Sequence, residues 1–256
     1  MDIKRTDFEN SLWYSLSIQS VLAEIKTDPA VGLSSNVVED RRLEFGVNQL
    51  TPKKGIPTWL RFLLQFQQPL IYILLAATVV TFLLKEWVDA FVIFGVVIVN
   101  AVIGFIQESK ALKALDALSR SMTSYATVIR NGKEEKVSSI DLVPGDVVIV
   151  SSGDKVPADI RLFQSRDLSV NESALTGESV PVEKRIEELD GKTALADRNN
   201  MIYASTFVTY GQARGVVVAT GDTTEVGKIS ELISTAEDLQ TPLTIKIAHL
   251  SHKLLY

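Results

Sequence analysis

Between Phe62 and Ile106 the chain carries only three charged side chains, Lys85, Glu86 and Asp89, although charged residues make up 22% of all 256. So long an apolar run, with no polar face, is hard to bury in a domain of this size. Phe62 to Leu84 has no charge, and at ~1.5 Å per residue a helix over it crosses a ~30 Å hydrocarbon core. Ala90 to Ile106, extended through Trp87 and Val88, reaches a similar length and puts Trp87 where interfacial aromatics settle. The two runs read as a transmembrane helical hairpin, with spans over about 62–84 and 88–106. Lys53, Lys54 and Arg61 precede it and Lys110, Lys113 and Arg120 follow it, against Lys85 alone in the connection. The positive-inside rule therefore places both termini of the hairpin in the cytoplasm. A signal peptide is a poor account, because the first run starts far from the N-terminus and lacks a small-residue cleavage site. Pro69 and Asn100 mark either an ion path or ordinary helix packing.

Composition limits the chemistry. The net charge of -5, from 26 basic and 31 acidic residues, argues against a nucleic-acid partner. With no cysteine there is no disulfide, thiolate zinc site or cysteine nucleophile, and the two histidines, His249 and His252, are too few for a histidine metal cage. Catalysis, if any, rests on carboxylates, hydroxyls and backbone.

Outside the apolar block the pattern predicts a helix over Leu16 to Ile25, then a Gly32–Ser35 capping stretch before a second helix from about Asn36 to Phe45, stopped by Gly46. Asn48, Pro52, Gly55 and Pro57 then predict an extended linker. Gln107 to Leu118 is amphipathic and prolongs the second span as a stalk. From Tyr125 the period changes to two. Thr127–Arg130 and Lys133–Val137 flank an Asn131-Gly132 hairpin turn, and further short strands are expected at Asp146–Val150, Asp159–Phe163, Phe207–Tyr210 and Ala213–Thr220. A helix over Thr224 to Ala236 follows, and Ile245 to Tyr256 resembles the first turns of a third span. The mixed-sign run Glu183–Asp190 reads as a solvated loop or edge. The fold class is a mixed membrane protein: N-terminal cytosolic helices (1–58), a two-helix transmembrane hairpin (59–107), a stalk with a mainly-β module of sandwich or jelly-roll type (108–240), and the start of a third span (241–256).

The segment from Asp167 to Ser179 leads from a strand into a loop. There Gly177 allows close backbone approach and Glu178 is presented between a glycine and a hydroxyl. A carboxylate so placed orients a water, as hydrolysis of an acyl phosphate requires. On the tetrapeptide Thr176-Gly177-Glu178-Ser179 alone, an ordinary surface turn is the other reading.

The wider pattern is more specific. Pro144-Gly145-Asp146, then Gly153-Asp154-Lys155-Val156-Pro157-Ala158-Asp159, then DLSVNESALTGESVPVEK, then Ala219 to Ile229 resemble, in order and spacing, the actuator domain of the P-type cation-transporting ATPases. The resemblance covers nearly the whole chain. Gly32 to Leu50 looks like that family's N-terminal cytosolic segment and QFQQPLIYILLAA like its first span. Two spans before the β module and the lack of cysteine point to the calcium and sodium/potassium branch over the heavy-metal branch. The resemblance implies an aspartate phosphorylated from ATP, with magnesium, in a separate domain, and an actuator that lets water hydrolyse the aspartyl phosphate while gating the ion path. Carried over by motif, Glu178 positions the water, Thr176 and Gly177 shape the backbone near the phosphate, and Ser179 holds the loop. Pro144, Gly145, Asp146, Gly153, Asp154, Pro157 and Asp159 read as turn chemistry instead. The implied partners are the lipid bilayer, the phosphorylation and nucleotide-binding domains of the same pump and the transported cation; the implied location is the cell membrane, multi-pass.

Two positions depart from the family pattern. Asn171 stands where aspartate is usual, and Ser205 where glycine is usual. The phosphorylated aspartate, the nucleotide-binding domain and the later spans do not occur in these 256 residues, so the chain alone is expected to be inactive. The alternatives are a naturally short, non-enzymatic regulator or remnant of such a pump, and an anchored β module that binds a partner; the intact Glu178 loop argues against the latter.

Overall fold

The computed structural model describes residues 11–51, 57–67, 69–121 and 124–235. The expected third span, the connection leading to it and both histidines lie outside the described residues. The chain divides into two compact units, one of residues 1–51 with 124–256 and the other of residues 52–123.

In the first unit, α1 (Ile18–Ile25) starts at Ser17, whose Oγ accepts the Ser20 N–H at 3.2 Å, and ends at Lys26 in the left-handed region. Helix α2 (Ser35–Phe45) stops at Gly46, as its sequence predicts.

The second unit contains α3 (Thr58–Leu64), a 3-10 turn over Gln65–Gln67, α4 (Pro69–Leu83) and α5 (Trp87–Ser121). The first apolar run is therefore not one straight helix. Its axis turns by 72° between Thr58–Gln67 and Ile71–Leu83. Pro69, without an N–H, opens α4 instead of continuing α3. The second run is one helix that continues through the expected stalk, and Trp87–Ala114 is long and apolar enough to cross a bilayer. The bent pair would add a second span if it acts as one. Ala90, Val97 and Ala101 are buried along α5, while Phe91, Val92 and Val99 are exposed. A small-residue face packed on other helices with a bare apolar face outside suits lipid better than a soluble core.

The remaining strands are β1 (Tyr125–Arg130), β2 (Lys133–Ser138), β3 (Val147–Ser151), β4 (Asp159–Asn171), then the one-turn helix α6 (Ser173–Thr176), β5 (Val182–Glu183), β6 (Met201–Ile202) and β7 (Phe207–Ala219), before α7 (Glu225–Thr235). They form one antiparallel sheet in the order β2-β1-β3-β7-β4-β5, with β6 also on β4. Asn131 and Gly132 both have positive φ in the β1–β2 turn, as the dipeptide predicts.

The two short strands expected on either side of Gly211 are a single β7, and β4 runs well past Phe163. Gly211 does not break its strand but lies opposite a bulge in β4. Its φ is +78°, and a Cβ there would come within 2.3 Å of the Asp167 carbonyl oxygen. The β4–β7 register shifts between Arg166 and Ser169, opposite this point. Both strands keep pairing on either side of it.

The C-terminal half of strand β7, Val216 to Val218, is buried on both faces. Val217 and Ala213 join Val150, Ile160, Leu162 and Val170 in one core, whereas Val216 and Val218 join Trp13, Tyr14, Val21 and Ile25 of the N-terminal segment in another. The period-two alternation of an apolar run thus serves two layers at once and ties α1 to the sheet.

Candidate functional site

The Thr-Gly-Glu-Ser loop begins where β4 ends. Asn171 Oδ1 accepts the Ser173 N–H at 3.0 Å, closing a turn that an aspartate would close in the same way. The Glu172 carbonyl then accepts from the Leu175 and Thr176 N–H groups at 2.8 and 2.9 Å and from Thr176 Oγ1 at 3.1 Å. Gly177 ends this single helical turn at φ +78° and returns its N–H to the Ser173 carbonyl. Glycine takes that conformation without the steric cost of a Cβ. The Glu178 N–H is held by Thr176 Oγ1 at 3.3 Å, and the Glu178, Ser179 and Val180 residues are exposed. The backbone of Glu178 is thus tethered while its carboxylate faces solvent. Thr176, Gly177, Glu178 and Ser179 fall in one short loop, with the Thr176 hydroxyl as the internal clamp.

Beneath the loop lies a pair that sequence reading missed. Lys184 Nζ sits 2.6 Å from Glu172 Oε1, and both side chains are completely buried. The run Glu183–Asp190 is therefore not uniformly solvated: Glu183 and Arg185 are exposed, but Lys184 between them points inward. β5 pairs Val182 and Glu183 with Val170 and Ser169 of β4, and strand alternation turns the next residue to the core. Burial pushes the Glu172 carboxyl up and the Lys184 ammonium down, each opposed by attraction to the other.

The residues read as turn chemistry make structural contacts. Asp146 accepts from Arg130 at 2.7 and 2.8 Å and from the Val143 N–H at 2.9 Å. Asp154 accepts the Ser151 N–H at 2.8 Å. Asp159 does more than turn the chain: buried at 3% exposure, it accepts the Ala204 N–H on one oxygen and the Glu225 N–H on the other, both at 2.8 Å. It pins the loop before β7 to the first turn of α7.

Asn48, expected in an extended linker, is bound to the same region. Its Nδ2 donates to the Ser139 and Pro157 carbonyls and its Oδ1 accepts the Gly221 N–H, each at 2.8 Å. Thr51 donates its N–H to Asp222 at 2.8 Å, and its hydroxyl binds the other Asp222 oxygen. Sequence alone shows an Asn near prolines and glycines; its partners lie far along the chain. Among the described residues no group of three or more His, Asp or Glu side chains could hold a metal ion.

Two families match the chain. One, described as the P-type ATPase actuator domain, matches residues 120–234, and the other, the cation transporter/ATPase N-terminus, matches residues 13–81. The cation-transporting ATPase pma1 of Synechocystis is 53% identical over 93% of the chain and 26% of its own length. The probable cation-transporting ATPase F of Mycobacterium tuberculosis is 49% identical over the same shares. A calcium-transporting ATPase of Bacillus subtilis is 38% identical over 95% of the chain and 27% of its own length. The chain spans about a quarter of the length of these curated relatives.

Proposed function

The chain belongs to the cation-transporting P-type ATPases, of which it carries the N-terminal and actuator portions, and on that premise we propose that its Glu178 loop hydrolyses an aspartyl phosphate presented by another domain of a full-length pump. The observation that carries the reading is the loop itself. A backbone locked by Gly177 and Thr176 Oγ1 holds out one carboxylate that serves no structural bond in the described residues. Glu178 accepts a hydrogen bond from a water and aims its oxygen at phosphorus; as that oxygen attacks, the carboxylate takes the proton and the bond from phosphorus to the aspartyl oxygen breaks. Gly177 lets the backbone come close to the phosphoryl oxygens, Thr176 sets the position of the Glu178 N–H, and Ser179 holds the outgoing limb.

Among the described residues no cluster of His, Asp or Glu side chains fits magnesium. ATP and magnesium belong to the whole pump, together with the transported cation, which the names of several relatives give as calcium. We assign the protein to the cell membrane as a multi-pass translocase. Spans at about 62–84 and 88–106 form a hairpin with both ends cytoplasmic, and the stalk and the jelly-roll-like actuator follow them. Movement of the actuator, transmitted through the connections at either end, gates the ion path.

The test uses the full-length protein. Its reading frame should continue past Tyr256 into an Asp-Lys-Thr-Gly motif. Glu178→Gln should then form phosphoenzyme from ATP and lose it ~100-fold or more slowly than the parent. Unchanged decay would remove Glu178 from the chemistry.

A further inference from the structure

The Glu172–Lys184 pair is costly where it stands. Both side chains are at zero exposure, and Glu172 Oε2 has no hydrogen-bond partner. An ion pair so dry adds little to stability relative to apolar side chains of the same size. Its placement, however, is specific. Glu172 is the last residue before α6 and Lys184 the first after β5, so the pair closes the base of the loop that carries Glu178. The Lys184 end is also rooted in β4: its N–H donates to the Leu168 carbonyl at 2.8 Å, and Ser165 Oγ donates to its carbonyl at 3.1 Å. From Glu172 a continuous relay leads outward. Its carbonyl accepts from Thr176 Oγ1, and Thr176 Oγ1 accepts from the Glu178 N–H. Lys184 Nζ lies 5.8 Å from the centre of the Tyr203 ring, which backs the ammonium from the other side.

We propose that Glu172 and Lys184 are positioning residues for Glu178: their buried pair clamps the two ends of the loop and, through the Glu172 carbonyl and the Thr176 hydroxyl, fixes where the Glu178 carboxylate stands. The inference rests on the hydrolytic reading of Glu178. A displacement of ~1 Å at a reacting group costs up to ~100-fold in rate, so a clamp on the loop base is worth its desolvation. Neither residue touches the reacting atoms.

The deciding variant in the full-length protein is Glu172→Met with Lys184→Met, which removes both charges together and fills the space. The expected result is an unchanged melting temperature and normal phosphoenzyme formation from ATP, with phosphoenzyme decay slowed ~10-fold or more. Amide exchange over residues 173–179 should quicken while β3 and β7 stay protected. In a Glu178→Gln background the double change should add no further slowing, because it acts through Glu178. Glu172→Gln with Lys184→Gln, whose amides can bridge the same ends, should bring decay back toward the parent rate. Parent-like decay in the Met pair, full additive slowing on Glu178→Gln, unrecovered decay in the Gln pair, or loss of phosphoenzyme formation would each overturn the proposal. If Glu178→Gln alone leaves decay unchanged, the hydrolytic reading fails on its own account, and exchange over 173–179 decides whether the pair clamps the loop.

Discussion

Raising the pH through neutrality should weaken the β-containing unit through one carboxyl, that of Asp159. Burial pushes it from 3.8 up to about 7 and neighbouring Glu225 pushes the same way, against the N–H groups of Ala204 and Glu225 and the charge of Lys228. The folded state then binds the Asp159 proton more tightly than the unfolded chain does. Between pH 3.8 and about 7 it holds more protons, so stability falls as pH rises through that window and levels off above it. At ~1.4 kcal/mol per pH unit the full excursion is about 4 kcal/mol. Asp159→Asn copies the protonated acid in shape, with one acceptor and one donor, but does not titrate. The two proteins should be equally stable to within ~1 kcal/mol near pH 4, and the asparagine variant should gain steadily to a lead of up to ~4 kcal/mol at pH 8. Denaturant melts of the chain in detergent measure this. Trp59→Phe and Trp87→Phe leave Trp13, which is 6% exposed in the unit concerned, as the only tryptophan, read by excitation at wavelengths where tyrosine hardly absorbs. A stability difference that stays flat from pH 4 to 8, or a less stable asparagine variant at pH 8, would show that the two N–H donors hold Asp159 ionised and would refute the reasoning.

Ser205 sits at φ +69°, where a Cβ is crowded, and its N–H donates to the Val156 carbonyl at 3.0 Å. Ser205→Gly keeps that bond and should raise stability by up to ~1 kcal/mol in the same melts; a lower midpoint would deny any strain there. Asn48→Ala strips three hydrogen bonds and leaves the Gly221 N–H without its acceptor, so it should cost about 2 kcal/mol and speed proteolytic cleavage around residues 47–51. Parent-like cleavage would mean that the segment is held by other contacts.

Features set by neighbouring residues were legible in the sequence. The Asn131-Gly132 turn, the Gly46 stop and the Glu178 loop all depend on a few adjacent side chains and their own φ preferences. What escaped depends on partners far along the chain. Gly211 looks like a terminator until the Asp167 carbonyl is placed opposite it, when it becomes the close-approach point facing a bulge of β4 in an otherwise unbroken strand. Asn48 looks like linker chemistry until Ser139, Pro157 and Gly221 surround it. Lys184 is a harder case, since Glu183 and Arg185 beside it do face solvent, and only its pairing with Glu172 shows why one charge in that run is turned inward. The lack of charge from Phe62 to Leu84 likewise marks an apolar run but not the 72° turn before Ile71. Proline there predicts a break in the helix without giving its angle.

The two costly carboxyls of this unit, Asp159 and Glu172, bracket one strand. Asp159 is the first residue of the 13-residue β4, and Glu172 follows its last. The first pins α7; the second, with Lys184, clamps the loop bearing Glu178. Strand β4 is bulged at Asp167 but paired with β7 on both sides of the bulge, so its ends are held in a fixed relation by the ladder. On the hydrolytic role proposed for Glu178, the loop and the helix pinned at the other end of β4 would need such a relation, because slack between them would dissipate any motion passed from one to the other. Apolar side chains could stabilise either end as well. Directional bonds to named N–H groups and to one ammonium fix its position as well as its burial, which is a physical reason for charged groups to occupy both sites despite their desolvation.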